Sequence, residues 1–228
     1  MSFLLLPTVA PHMPAPLIPP SFLFRFAALC RYRKPLWPPD AEGLGEEHRL
    51  VPPSGLDGDE GGLDVRLAWS EDGLALSAWV EGKQQSLWCR ANRPEDSDGL
   101  QVWIDTRDVR NVHRAGRFCH RFVLLPAGGK GLAEPVVEWL PIGRAREHPQ
   151  AIPRWALAVR SAVHEGGYRL DAFFAAAALT GFDPAEHPRL GFTYALADRE
   201  LPLTTFTVGP PFPYQEDPSL WATLELVR

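Results

Sequence analysis

The feature that most constrains the fold of this chain is an alternation of apolar and polar side chains that recurs in short segments along its length. It is clearest in residues 99–105, where every second side chain is aliphatic. Successive side chains of a β-strand point to opposite faces of a sheet, so this segment is predicted to be a strand with one buried face. The aliphatic face comprises Leu100, Val102 and Ile104, and the opposite face comprises Gln101, Trp103 and Asp105. The Trp103 ring would then meet either a second layer of the fold or a ligand.

Other segments show the same alternation or a β-branched and aromatic composition. They span residues 22–26, 63–69, 74–80, 118–124, 136–140, 155–159, 168–174, 190–196, 204–208 and 221–226. The Asp72–Gly73 pair between two of these segments is typical of a hairpin turn. Helical periodicity is almost absent, and only residues 175–179 predict a short helical turn. The chain is therefore predicted to be all-β, an antiparallel β-sandwich of jelly-roll or immunoglobulin-like type with one short helical turn.

The distribution of prolines divides the chain into two parts. Residues 1–20 hold six of the 24 prolines, which exclude a helix or a central strand there. These residues are predicted to form a Pro-rich N-terminal arm. Residues 21–228 are predicted to form a single β-sandwich domain, because a chain of 228 residues with 45% hydrophobic content can build one large core.

The charge balance argues against nucleic acid as a partner. The formal net charge is −5, whereas a nucleic-acid surface needs a basic stripe that neutralises phosphates. One local basic cluster lies in residues 107–117. Acidic residues lie near it in sequence, and we interpret the cluster as a salt-bridged loop. These acidic residues are Asp96, Asp98, Asp105 and Asp108.

The N-terminus and the cysteines bear on the cellular compartment. The sequence shows neither a signal-peptide pattern nor a transmembrane span, so we expect no membrane partner and predict a cytoplasmic location, with export as the alternative if translation starts elsewhere. Cys30, Cys89 and Cys119 cannot all pair within one chain. Their odd number favours reduced thiols, with one disulfide and one free thiol as the alternative.

Several motifs, taken together in this order, resemble the domain type of carbohydrate-binding module family 9. They comprise Leu56–Asp57–Gly58, residues 65–69 with the turn at residues 72–74, residues 98–105, residues 167–174, residues 191–194 leading to Asp198, and residues 221–226. The resemblance covers roughly residues 56–228, and the domain is also similar to the DOMON superfamily. It implies a β-sandwich that binds sugars without catalysing a reaction, often with a structural calcium ion.

Sugar binding of this kind stacks the C–H face of a sugar on an aromatic ring while charged and amide side chains bond its hydroxyl groups. Trp88 is our first choice for the stacking ring, because it lies in a polar loop ahead of the strand at residues 98–105. The predicted ligand-binding residues are Trp88, Arg90, Asp96, Gln101, Trp103, Arg107, His113 and His120. The acids that the resemblance assigns to a calcium ion are Asp57, Asp59 and Asp198.

Other functions are weaker predictions. Haem ligation is not expected, because Met1 and Met13 both lie in the Pro-rich arm. A transition-metal site would combine Cys89, His113, Cys119 and His120, but Cys119 and His120 are adjacent and would point to opposite faces of a strand. A hydrolase that uses the His, Asp and Arg cluster lacks any recognised catalytic signature. The main alternative is a protein-interaction or scaffold β-sandwich that has lost sugar binding and contacts a protein partner.

Overall fold

The computed structural model describes residues 26–38, 42–52, 62–129 and 133–228. Within these ranges the chain forms β-strands and single turns of 3-10 helix. The strands are β1 (Ala27–Tyr32), β2 (Leu63–Ser70), β3 (Gly73–Glu81), β4 (Gly99–Asp105), β5 (Cys119–Leu125), β6 (Val136–Trp139), β7 (Leu157–His164), β8 (Gly167–Ala175), β9 (Arg189–Ala197), β10 (Thr204–Thr205) and β11 (Ala222–Val227). The all-β prediction is confirmed.

The described strands form one continuous sheet rather than the two separate sheets that we predicted. The strand order is β6-β5-β4-β9-β11-β1-β2-β3-β8-β7, and β10 pairs with β9. The sheet is antiparallel except at β1, which lies parallel to both β11 and β2. Its edge strands β6 and β7 come into contact, so the sheet is nearly closed, like a barrel. Alternation of side chains predicts which face of a strand is buried but not which strands pair, and for this reason the sequence did not reveal the closure.

The predicted aliphatic face of β4 lies in the core of the barrel. Leu100, Val102 and Ile104 are fully buried there, in a cluster that also receives side chains from the opposite half of the sheet. Phe122 of β5 and Phe174 of β8 meet across this interior, with ring centroids 4.6 Å apart. This cluster of buried side chains therefore joins the two halves of the sheet.

The outer face of β4 is also covered. Trp103 lies in a second cluster that includes Tyr214 and Trp221 from the C-terminal part of the chain. All seven residues of β4 are buried as a result. This agrees with the interpretation of Trp103 as a residue beneath a second layer.

Helical structure in the described ranges is limited to single 3-10 turns. They span Glu46–His48, Pro94–Asp96, Arg154–Ala156, Ala176–Ala178 and Pro218–Leu220. The turn at Ala176–Ala178 was predicted, whereas the other four are too short to leave a periodic pattern. The two-residue hairpin loop Glu71–Asp72 between β2 and β3 was also predicted, and it pairs Ser70 with Gly73.

Some predictions fall outside the described residues. The Pro-rich arm of residues 1–20 lies there, and so do Asp57 and Asp59. The division into an arm and one domain stays a prediction. No helix in the described ranges is long and apolar enough to cross a membrane. Cys30, Cys89 and Cys119 are all free, in agreement with the favoured prediction of reduced thiols.

Candidate functional site

The predicted ligand-binding residues separate into two groups at opposite ends of β4. Trp88, Arg90 and Asp96 lie in the segment before the strand, whereas Arg107 and His113 lie beyond it. Seven residues at about 3.4 Å each place the two ends of β4 roughly 20 Å apart. One small ligand therefore cannot contact both groups.

The segment before β4 is held by the ammonium group of Lys83. The Lys83 Nζ lies 3.1 Å from Asp98 Oδ2, 2.8 Å from Asp198 Oδ2 and 3.8 Å from Glu200 Oε2. The side chains of Lys83, Asp98 and Asp198 are buried. Burial by itself would lower the pKa of Lys83, but hydrogen bonds to Asp198 and Asp98 outweigh it and raise that pKa. Lys83 is thus a buried cation held between two carboxylates.

Asp98 also restrains the backbone of two loops through hydrogen bonds. Its Oδ2 accepts the backbone N–H of Trp88 at 2.9 Å, and its Oδ1 accepts the backbone N–H of Arg199 at 3.0 Å. The backbone N–H of Asp98 in turn donates to the Trp88 carbonyl at 2.8 Å. The loops that carry Trp88 and Arg199 are therefore fixed against the start of β4.

Asp198 was predicted as a calcium ligand, and its surroundings do not fit that role. Its oxygens accept hydrogen bonds from the Lys83 ammonium and from the backbone N–H groups of Glu200 and Leu201. A cation of the protein itself already occupies the position next to these oxygens. In the part of the chain that the structure describes, no group of three His, Cys, Asp or Glu residues could hold a metal ion. The calcium prediction now depends on Asp57 and Asp59.

Trp88 presents an accessible aromatic ring at this end of β4. Its side chain is 40% exposed. The guanidinium carbon of Arg199 lies 4.2 Å from the centroid of the ring, and that of Arg90 lies 5.0 Å away. Arg90 and Asp96 are also exposed. Trp88 and Arg90 therefore lie together on the surface, and Asp96 is exposed in the same segment before β4.

A pocket of about 440 Å³ lies over the outer face of β4 and β9. Its polar and aromatic lining comes from the loop before β4, from β4 itself and from the segment before β11. These lining residues are Glu95, Gln101, Phe212, Tyr214, Gln215 and Glu216. Pockets in which a few polar groups converge beside apolar surface are typical small-molecule sites.

Arg121 of β5 supports the floor of this pocket. Its Nη2 donates a hydrogen bond of 2.7 Å to Gln101 Oε1, and its guanidinium carbon lies 5.5 Å from the centroid of the Trp103 ring. The Arg121 Nε is buried and has no hydrogen-bond partner among the described residues. Burial lowers the pKa of Arg121, while the nearby Glu95 and Tyr214 oppose that shift. The guanidinium group thus holds the Gln101 amide in place, and its Nε–H is not used in a hydrogen bond to the described residues.

Arg121 was missed at the sequence level, although a signal was present. It directly follows His120, which belongs to the apolar face of its strand, so Arg121 had to point to the opposite face. The pairing of Trp103 with Arg121 across β4 and β5 places both on the outer face. The alternation predicts that Arg121 points to the outer face, but it does not predict that Trp103 is its neighbour on the next strand.

Trp103 and His120 are both fully buried. Trp103 packs edge-on against Tyr214 with ring centroids 5.6 Å apart, so its ring offers no accessible face for stacking. His120 Nε2 accepts the backbone N–H of Thr180 at 2.9 Å. Burial lowers the pKa of His120 to about 4. Both residues support the fold beside the site.

Arg107 and His113 belong to the loop beyond β4. Arg107 donates to the carbonyl groups of Thr106 and Gly181. The His113 Nδ1 lies 3.1 Å from Asp217 Oδ2 and 3.0 Å from Ser219 Oγ. In a hydrolase triad the serine hydroxyl and the orienting acid contact different nitrogens of the histidine, whereas here Ser219 and Asp217 both contact Nδ1. This Ser, His and Asp cluster does not have the geometry of a hydrolase triad.

The fold is similar to that of a carbohydrate-binding module family 9 protein from Caldicellulosiruptor kristjanssonii, solved in complex with cellotriose. The sequences are 14% identical over 89% of this chain and 94% of that chain, with a TM-score of 0.59. A family 9 module from the same organism in complex with glucose matches with 14% identity over 88% of this chain and 95% of that chain, with a TM-score of 0.57.

A candidate carbohydrate-binding protein from Bacteroides uniformis also shares the fold. It is 13% identical over 89% of this chain and 100% of that chain, with a TM-score of 0.52. No protein-family model matches the chain. No curated protein matches it. The similarity at these identities concerns the fold, and it confirms the predicted likeness to carbohydrate-binding module family 9 domains at that level.

Replacing Lys83 with methionine tests the buried cation. We expect Lys83→Met to lower the free energy of unfolding by about 3–5 kcal/mol, because it leaves the carboxylates of Asp98 and Asp198 buried without a counter-charge. The matched control is Lys34→Met, whose exposed ion pair with Asp72 should contribute about 1 kcal/mol or less. Urea unfolding measures both variants. Equal losses would contradict the central role of Lys83.

The buried His120 makes stability depend on pH. Its folded pKa of about 4 lies below the usual value of 6.5, so between these values the unfolded state binds the proton more tightly. The free energy of unfolding should therefore be highest above about pH 6.5 and fall by roughly 3 kcal/mol as the pH drops to about 4.

The variant His120→Gln should flatten this dependence, because glutamine can accept the Thr180 N–H without titrating. Urea unfolding at a series of pH values gives the comparison. Equal slopes for the wild type and His120→Gln would show that His120 does not titrate on unfolding.

Proposed function

We propose that this chain is a non-catalytic carbohydrate-binding module, because it has the fold of sugar-binding modules. Its ligand would lie in the pocket over the outer face of β4. The observation that carries this proposal is the hydrogen bond from Arg121 to Gln101, which orients an amide group that lines that pocket.

The chemistry of the pocket suits a sugar ring. The carboxylate of Glu95 accepts hydrogen bonds, and the Gln101 amide both donates and accepts them, in an orientation that Arg121 fixes. These planar groups can bond the hydroxyl groups around the edge of a pyranose. The Phe212 ring lines the same pocket and offers an apolar surface for the C–H face of the sugar.

Pre-orientation supports this assignment. The Gln101 side chain is buried and bonded to Arg121, so little side-chain entropy would be lost when a ligand binds. Trp88 lies at the same end of β4 as Glu95, on a backbone that Asp98 fixes. We propose that the Trp88 ring extends the stacking surface for a second sugar unit beyond the pocket.

A glycan array probed with the purified chain tests sugar binding directly. We expect hits that free sugar displaces, and we would include cellotriose and glucose, the ligands of the structural neighbours. A parallel array with a chelator tests the calcium prediction for Asp57 and Asp59. A blank array from folded protein would contradict the proposal and favour the alternative of a protein-interaction scaffold. The cytoplasmic location is a separate prediction, which the array does not test.

Arg121→Met tests the floor of the pocket. The variant removes the hydrogen bond from a charged group, which contributes roughly 1.5–3 kcal/mol, that holds the Gln101 amide in place, so affinity for an array hit should fall by up to about a hundredfold in calorimetric titration. Gln101→Leu should weaken binding in the same direction. The control Arg160→Met removes an exposed arginine of β7 and should bind like the wild type. Unchanged affinity in both pocket variants would place the ligand elsewhere.

Trp88→Ala tests the stacking ring. Since Trp88 is 40% exposed and Asp98 contacts its backbone, the variant should change the free energy of unfolding by less than about 1 kcal/mol while it abolishes ligand binding. Trp155→Ala is the matched control, because Trp155 is 73% exposed and lies outside the lining of the pocket. The loss of binding applies to ligands long enough to place a second sugar unit on Trp88. Should Trp88→Ala unfold the domain, Trp88 is a structural residue and the stacking surface lies elsewhere.

A further inference from the structure

Two hydrogen-bonded loops beyond the end of β4 form a cationic surface. The loops, residues 107–117 and 142–148, together contain six arginines and two acidic residues. Arg114 Nε donates to the Arg144 carbonyl at 2.8 Å, and the backbone N–H of Arg146 donates to the Ala115 carbonyl at 2.8 Å. We call the exposed side chains of Arg114, Arg144 and Arg146 the arginine surface.

The acidic residues that we expected to balance this cluster are mostly engaged elsewhere, so the predicted salt-bridged loop is wrong for the arginine surface. Asp98 binds Lys83, and Asp96 lies 3.8 Å from Arg93 at the other end of β4. Asp105 is buried. Its two oxygens accept the backbone N–H groups of Arg107 and Val109.

One expected pair does form, between Asp108 and Arg110 at 3.3 Å. Within the described ranges, Arg114 and Arg146 have no carboxylate within ion-pair distance, and Arg144 reaches Glu216 at only 3.8 Å. Arginines that lack a carboxylate of their own protein remain free to bind an external anion, which their planar donors can contact at two points.

The arginine surface is continuous with the proposed sugar pocket. Glu216 lines the pocket, and its Oε2 is the atom that lies 3.8 Å from Arg144 Nη1. From Arg144 the surface continues to Arg114 through the hydrogen bond to the Arg144 carbonyl. A polymer that places one unit in the pocket can therefore reach these arginines with its neighbouring units.

We propose that the ligand of this site is an acidic polysaccharide, with one sugar ring in the pocket and the carboxylate or sulfate groups of neighbouring units on the arginine surface. This inference rests on the proposed function and adds the class of glycan. Because the formal net charge is −5, the chain as a whole repels a polyanion, and attraction depends on a local cluster of cations such as the arginine surface. An extended nucleic acid would need a longer basic stripe than these three arginines provide.

The probes are oligogalacturonate and the same oligosaccharide with its carboxylates methyl-esterified, which keeps the sugar rings and removes the charge. Calorimetric titration of the wild type should give at least about tenfold tighter binding of the charged form, with affinity falling as salt rises. Sulfated dextran, in a separate titration, distinguishes sulfate from carboxylate as the preferred anion. The triple variant Arg114→Gln, Arg144→Gln and Arg146→Gln should lose this preference and keep binding of the esterified form.

A matched triple variant removes three exposed arginines elsewhere, Arg31, Arg160 and Arg228, and should bind like the wild type. Equal affinity of the wild type for the charged and esterified oligosaccharides would overturn the inference and leave the proposed function standing. Binding of polyglutamate as tightly as oligogalacturonate would also overturn it, since the surface would then select charge and not a glycan. Loss of all oligosaccharide binding in Arg121→Met, with the fold intact, supports the shared site. Unchanged oligogalacturonate binding in that variant would contradict both proposals.

Discussion

The contact between the Lys83 ammonium and the carboxylates of Asp98 and Asp198 is the interaction on which the rest of the site depends. A buried charge is costly unless it is paired, and here each charge has a partner within 3.1 Å. These three side chains join the segment after β3, the start of β4 and the segment after β9. Asp98 also accepts the backbone N–H groups of Trp88 and Arg199, so the surface loops at the start of β4 are held against the core.

Burial of β4 on both faces explains where a ligand can bind. Its inner face meets the core of the barrel, and its outer face is covered by a second cluster around Trp103. Over Gln101 the cover leaves a pocket, and Arg121 holds the Gln101 amide in place from the next strand. The proposed sugar site is therefore a gap in the second layer, with side chains that are already oriented.

Much of the fold could be predicted from the sequence because its signals are local. The alternation in residues 99–105, the hairpin loop at Glu71–Asp72 and the alanine-rich turn at Ala176–Ala178 each depend on a few neighbouring residues. The continuous sheet could not be predicted in this way, because the parallel pairing of β1 with both β11 and β2 joins distant parts of the chain.

The site was predicted less well than the fold for the same reason. Lys83 and Asp198 are 115 residues apart, and Arg121 and Gln101 lie on different strands. Nothing in the sequence near Asp198 showed that a lysine, and not a metal ion, would sit against its carboxylate. The environment of Trp103 was also left open, since the alternation of its strand allows either a second layer or a ligand over the ring, and the structure buries it.

The most direct test of the account is to map the bound ligand on the chain by nuclear magnetic resonance. In ¹⁵N-labelled protein titrated with cellotriose or oligogalacturonate, we expect the largest shifts at the Gln101 side-chain amide, the Arg121 Nε–H and the Trp88 indole N–H. These three groups report on the floor of the pocket and on the proposed stacking ring. If both sugars leave these signals unmoved, or if the shifts cluster around Trp155 instead, the proposed site over β4 is wrong.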